Sequence, residues 1–131
     1  MPEFPGDATV VMQTIWPNLI VQQQSNTLAM RQIQTLGPEE FELHWTFFGY
    51  ADDDDAMTMR RLRQANLMGP AGFVSVDDSE VMEAAQSGLG KYPNARAVVE
   101  MGGLGVEDQD HMVTESSIRA FYDHYRNVMG F

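Results

Sequence analysis

The chain has 131 residues, with 19 Asp and Glu against 8 Lys and Arg and no cysteine, which bounds it to one domain or a piece of one. The net charge of −11 argues against nucleic acid and anionic membrane surfaces, whose phosphates it would repel. Without cysteine the chain cannot form disulfides or hold a thiolate zinc site or an iron–sulfur cluster.

Near the N-terminus, Met1-Pro2-Glu3-Phe4 shows no basic region ahead of an apolar stretch, and no apolar run nears a membrane span. The expected location is cytoplasmic. Thr9 to Ile15 is β-branched and apolar and reads as a strand, with a turn at Pro17-Asn18. Extended chain is expected again over Leu19 to Ser25 and over Thr27 to Leu36, followed by a turn at Gly37-Pro38-Glu39-Glu40. Phe41 to Tyr50 alternates, placing Phe41, Leu43, Trp45 and Phe47 on one face and Glu42, His44, Thr46 and Phe48 on the other. These segments predict an antiparallel meander with one well-buried face, which must pack on helices to be stable.

The second half supplies helices. Asp52 to Asp55 suits the positive end of a helix that runs to about Met68, with Met59, Leu62 and Ala65 as its apolar line and Arg60, Arg61 and Arg63 as a solvated face. The four Asp lack the glycine and distal glutamate of a calcium loop. Gly69-Pro70 is expected to break this helix. Ser75 and Asp78 then have the form of a capping box, and Val74, Asp78, Val81, Ala85 and Leu89 recur on one helical face. Asp78 therefore lines up with an apolar stripe, where a carboxylate is either a hydrated first-turn acid or a metal ligand. Gly88 and Gly90 are expected to end that helix. Gly102-Gly103-Leu104-Gly105 reads as a loop and lacks the Lys-Ser/Thr of a phosphate loop. A last helix follows, capped by Thr114 or Ser116, with Ile118, Phe121, Tyr122, Tyr125, Val128 and Met129 as a stripe for core packing against the sheet. Strands followed by helices predict an α+β fold.

Several stretches are familiar in order. Trp16-Pro17-Asn18-Leu19, Glu42 to Phe48, Gly69-Pro70-Ala71-Gly72-Phe73 with Asp77-Asp78 and Met82-Glu83, and Ser117 to Tyr122 with Tyr125-Arg126 resemble the C-terminal part of the large (alpha) subunit of Rieske-type aromatic-ring-hydroxylating dioxygenases. The resemblance implies a helix-grip catalytic domain, in which an antiparallel sheet wraps a long C-terminal helix, present here in part and as a single domain over 1–131. It implies that Asp78 is the carboxylate of a two-histidine, one-carboxylate site for non-haem Fe(II). It further implies that Met68 and Val74 line the substrate pocket with Gln22 on a strand, although the family usually carries a bulkier residue at Val74. For the complete enzyme, the resemblance implies that electrons from NAD(P)H pass through a reductase and the Rieske centre to the iron, which activates O₂ to hydroxylate an aromatic ring. The run from Gln22 to Arg31 is closer to members that act on aromatic acids.

The departures carry as much weight. With no cysteine the Rieske domain is absent, and His44, His111 and His124 do not have the His-x4-His spacing of the iron ligands. His44 reads as an ordinary half-exposed strand histidine. One carboxylate does not hold Fe(II), so this chain alone is expected to bind none and to be inactive. The expected partners are the remainder of the oxygenase alpha subunit or a second copy, with an aromatic substrate in the complete enzyme. Two other readings remain: a cofactor-free helix-grip module that binds a small apolar ligand in a sheet–helix groove, and an interaction protein whose open sheet edge pairs with another chain.

Overall fold

A computed structural model describes residues 4, 6, 9–98, 100, 102–111 and 114–131, and the chain divides into two compact units, Met1–Pro93 and Asn94–Phe131. The first unit holds a four-stranded antiparallel sheet of β1 (Val10–Ile15), β2 (Leu19–Gln24), β3 (Thr27–Thr35) and β4 (Phe41–Phe48), in that spatial order. The expected α+β class is therefore observed. Trp16-Pro17-Asn18 makes the first connection, with a cis Trp16–Pro17 bond, and Asn18 extends the pairing beyond β2. Its side-chain amide donates to Ile33 O (2.9 Å), and its own carbonyl accepts from Ile33 N (2.9 Å). The β3–β4 turn closes where Leu36 N and Gly37 N both donate to Glu40 O (3.0 and 3.1 Å).

Register assigns the faces. Cross-strand rows Met12–Gln22–Ala29–Phe47 and Thr14–Ile20–Arg31–Trp45 lie on one side, with Phe41 and Leu43 further along β4. The alternation expected for Phe41 to Phe47 is thus present, and Trp45 stacks on Phe47 at 5.5 Å. The burial expected of that face is not. Among the described residues Ala29 is the one buried hydrophobic side chain, and Phe41 at the margin is half exposed. A sheet face this open has more apolar surface than the helices of the unit cover.

α1 (Asp55–Met68) begins where the acidic run ends: Asp54 is its N-cap, and the Asp54 carboxylate accepts from Met57 N (2.7 Å). Its buried residue is Arg61, against the expectation of a solvated arginine face. Arg61 Nε and Nη2 donate to the two oxygens of Asp53 (2.7 and 2.9 Å), and Nη1 donates to Asn26 O (2.5 Å). Those partners offset the desolvation of the guanidinium, which is how a charge occupies the inner position. Met59 and Leu62, expected to be the apolar line, are half exposed instead.

α2 (Phe73–Lys91) departs from expectation at both ends. Its N-cap is Gly72, so Ser75 lies inside the first turn, and the Ser75 hydroxyl donates backwards to Met68 O (2.7 Å). No capping box forms. The cause is the tightness of the joint: a Cβ on Gly72 would lie 2.1 Å from Leu67 O, so the chain passes directly from one helix into the next. At the other end the helix runs through Gly88 and Gly90 to Lys91, because neither glycine takes the positive φ that would end it.

The second unit contains α3 (Ser116–Met129), preceded by irregular chain among its described residues. Glu115, at φ 51°, is its N-cap, and the Thr114 hydroxyl accepts from Ser116 N (3.0 Å). Arg119 holds the preceding loop, donating from Nε to Gly105 O (2.5 Å) and from Nη1 to Thr114 O. Gly102 sits at φ 63°, with its would-be Cβ 3.0 Å from Thr114 O, so the loop as expected is built on glycine. Of the apolar stripe, Phe121 and Tyr125 are half-buried, while Ile118, Tyr122, Val128 and Met129 are exposed. No helix of the described residues is long and apolar enough to cross a membrane.

Candidate functional site

The expected site residues fall in two places of the first unit. Met68 and Val74 flank the α1–α2 joint: Met68 is half-buried and its carbonyl anchors Ser75, while Val74 is exposed. Gln22 is on the sheet, 3% exposed, donating from Nε2 to Gln24 Oε1 (3.1 Å) with its own Oε1 left without a partner. Asp78 stands on α2, exposed, as are Val74, Val81, Ala85 and Leu89 of its stripe. The helical face that should have been buried is open within this unit.

Arg31 connects the two places, and it was not singled out in the sequence. It occupies the row next to Gln22 on the same sheet face, with its guanidinium 5.0 Å above the Trp45 ring. Nη2 lies 3.5 Å from Met12 Sδ, and Nε is buried without a partner. Burial pushes the Arg31 pKa down from its ordinary value, and the nearby Asp78 carboxylate acts in the opposite direction. A signal for Arg31 was present: it is the one charged residue in the alternating run Thr27, Ala29, Arg31, Ile33.

Among the described residues the donor set for iron is incomplete: no group of three or more His, Asp or Glu is placed to hold a metal ion. His44 is exposed on the opposite face of β4 and lies 3.1 Å from Glu42; His111 is in the loop and His124 on α3. The acidic run is used structurally, with Asp54 capping α1 and Asp53 paired with Arg61. The residues present do not fit a complete iron site, and no step through iron follows from them.

Along α2 beyond Asp78 runs a groove of about 790 Å³, lined by Ile33, Phe41 and Leu43 of the sheet and by Met82, Ala85 and Leu89 of the helix. Its mouth is open, as expected where apolar positions of α2 face the sheet without a further layer of chain.

No protein-family model matches the chain. It is 54% identical over 125 residues, 95% of its length, to the large oxygenase component of salicylate 5-hydroxylase from Ralstonia sp.. It is 45% identical over 129 residues to the large subunit of anthranilate 1,2-dioxygenase from Burkholderia cepacia, and 40% identical over 128 residues to terephthalate 1,2-dioxygenase terminal oxygenase component subunit alpha 2 from Comamonas sp.. Each match covers about 98% of this chain. The chain spans only 30–31% of the length of these relatives.

Proposed function

We propose, from the premise that this chain corresponds to a segment of the large subunits of Rieske-type aromatic-ring-hydroxylating oxygenases, that it is the C-terminal part of such a subunit's catalytic domain and acts only with the remainder. The near end-to-end match to three such subunits carries the reading. The physical state of the unit supports it. β1 and β4 are open sheet edges, and the helix-side face of the sheet is under-covered, so further strands and helices have a place to pack. A helix-grip domain completed by the rest of the subunit fills that requirement.

In this reading Asp78 supplies one carboxylate to an Fe(II) centre whose histidines lie outside the chain. That metal supplies O₂ activation when bound. The chain's own contribution is positional: the α1–α2 joint fixes where Asp78 stands, Met68 and Val74 border the space beside it, and Gln22 borders it from the sheet. The substrate is an aromatic ring compound. The relatives are named for salicylate, anthranilate and terephthalate, which all carry a carboxylate on the ring.

A chimera tests this. The matching segment of the salicylate 5-hydroxylase large component is replaced by this chain, and hydroxylation is followed with the relative's own electron-transfer partners. Activity that disappears with Asp78→Ala, while the Rieske spectrum persists, is expected. A folded chimera whose activity is indifferent to Asp78 would sink the assignment.

A further inference from the structure

The charges of this chain are unevenly spread. From Ala8 to Met30 no residue carries one, although the whole chain stands at −11. That stretch supplies β1, β2 and the start of β3, and β1 is an outer strand of the sheet, with no strand beyond it among the described residues. Thr9 O accepts from Ser25 N, so the backbone groups of Val11, Gln13 and Ile15 are turned to β2 and those of Val10, Met12 and Thr14 to the open edge. This edge carries none of the devices that keep strands apart: no charge, no proline and no bulge within Val10–Ile15. Val11, Met12 and Ile15 are half exposed on it. The opposite edge is guarded. β4 contains Glu42, follows Glu39-Glu40 and precedes Asp52 to Asp55, so antiparallel approach of a second copy there would bring acid toward acid.

We infer that β1 is the docking edge for a second copy of this chain, paired antiparallel about a two-fold axis that passes through Gln13 normal to the sheet. In that register Met12 and Thr14 exchange backbone hydrogen bonds with Thr14 and Met12 of the second copy. Val11 lies opposite Ile15 on the face away from Trp45, apolar against apolar, and the two Gln13 side chains meet at the axis. Moving the axis to Met12 would set Val11 against Gln13 and lose that match. The edge is thus self-complementary, as a two-fold contact demands. Being uncharged, it is also where two chains of −11 meet with least repulsion. The product is one continuous sheet across both copies, with the Trp45 faces on the same side. This contact is a property of the chain itself and is independent of the oxygenase reading.

The test is sedimentation of the purified chain over a concentration series, compared with Gln13→Lys and His44→Lys. Both substitutions add a positive charge at an exposed strand position, the first on β1 and the second on β4, so general charge effects are shared. The unmodified chain is expected to form a dimer in equilibrium with monomer. Gln13→Lys should weaken that dimer about tenfold or more, by setting two ammonium groups opposite each other, and His44→Lys should not weaken it. Register is read by cross-linking, which a chain without cysteine permits cleanly. Gln13→Cys should oxidise to a disulfide-linked dimer, since a non-hydrogen-bonded pair sets its Cα atoms about 4.5 Å apart, and Val11→Cys should not. A chain that stays monomeric throughout, a dimer loosened by His44→Lys rather than Gln13→Lys, or equal cross-linking at both positions would overturn the assignment. None of these results bears on the chimera, so the oxygenase reading stands or falls separately.

Discussion

Replacing Gly72 by alanine should destabilise the first unit, although Gly72 has an ordinary φ of −85° that any residue can adopt. The obstacle is space. The added Cβ would meet Leu67 O at 2.1 Å, Leu67 C at 2.4 Å and Asn66 O at 2.5 Å, all of them backbone atoms of the last turn of α1. Restoring ordinary contact, 3.4 Å or more, requires Gly72 to retreat about 1.3 Å from that carbonyl. The retreat pulls on the Ser75–Met68 and Gly72–Gly69 hydrogen bonds and carries the start of α2, with Asp78, away from its place. Overpacking of this kind costs about 1–3 kcal/mol. For a unit of this size that lowers Tm by at least about 4 °C. The control is Gly88→Ala in the same helix, where a Cβ meets open space. It removes an interior helix glycine and should stabilise by about 0.5–1 kcal/mol. Thermal and urea unfolding followed by circular dichroism measure both. Equal, small effects from the two substitutions would refute the argument that the joint is held by close backbone approach.

Other expectations follow from single contacts. Asp54→Ala removes the cap of α1 and should cost about 1 kcal/mol, read in the same unfolding assay, with Asp55→Ala as a milder comparison. The Arg61 side chain, then Tyr50 N, holds the Asp53 carboxyl below its ordinary value. Its folded pKa being depressed, the pair's contribution is present above the ordinary aspartate range and fades as pH falls through the lowered value. A urea series from pH 7 to pH 3 should show that loss in the unmodified chain and a flatter profile in Arg61→Met, and parallel profiles would count against the pair. Arg119→Lys forfeits the fork on Gly105 O and Thr114 O, so amide exchange across residues 102–111 should quicken while α3 remains helical; unchanged exchange would mean the loop is held by something else.

How much of this was legible depended on range. The strands were readable because a period of two is local: Phe41 to Phe47 gave β4 its face before any partner was known. The α2 start was misread because Ser-x-x-Asp is compatible with two arrangements. As N-cap, Ser75 would accept from the helix; three residues in, it donates to the preceding helix, and only the close approach at Gly72 decides between them. Arg61 could not be placed from sequence, since its burial depends on the Asn26 carbonyl 35 residues away. Arg31 was visible as a lone cation in an alternating apolar run, but its unpaired Nε needed coordinates. The face of Asp78 was legible as apolar; that it stays exposed in this unit was not, because exposure depends on which elements pack against α2. Family resemblance supplied the ligand expectation for Asp78, and the donor set among the described residues is too sparse to have done so.

The most direct measurement is iron content after anaerobic Fe(II) loading, compared for the chain alone, the salicylate 5-hydroxylase chimera and the chimera carrying Asp78→Ala. The chain alone should retain no stoichiometric iron. The chimera should hold one mononuclear iron per large subunit beyond its cluster iron, and Asp78→Ala should remove that one alone. Stoichiometric iron on the isolated chain that vanishes with Asp78→Ala, or mononuclear iron in the chimera indifferent to that change, would contradict the account.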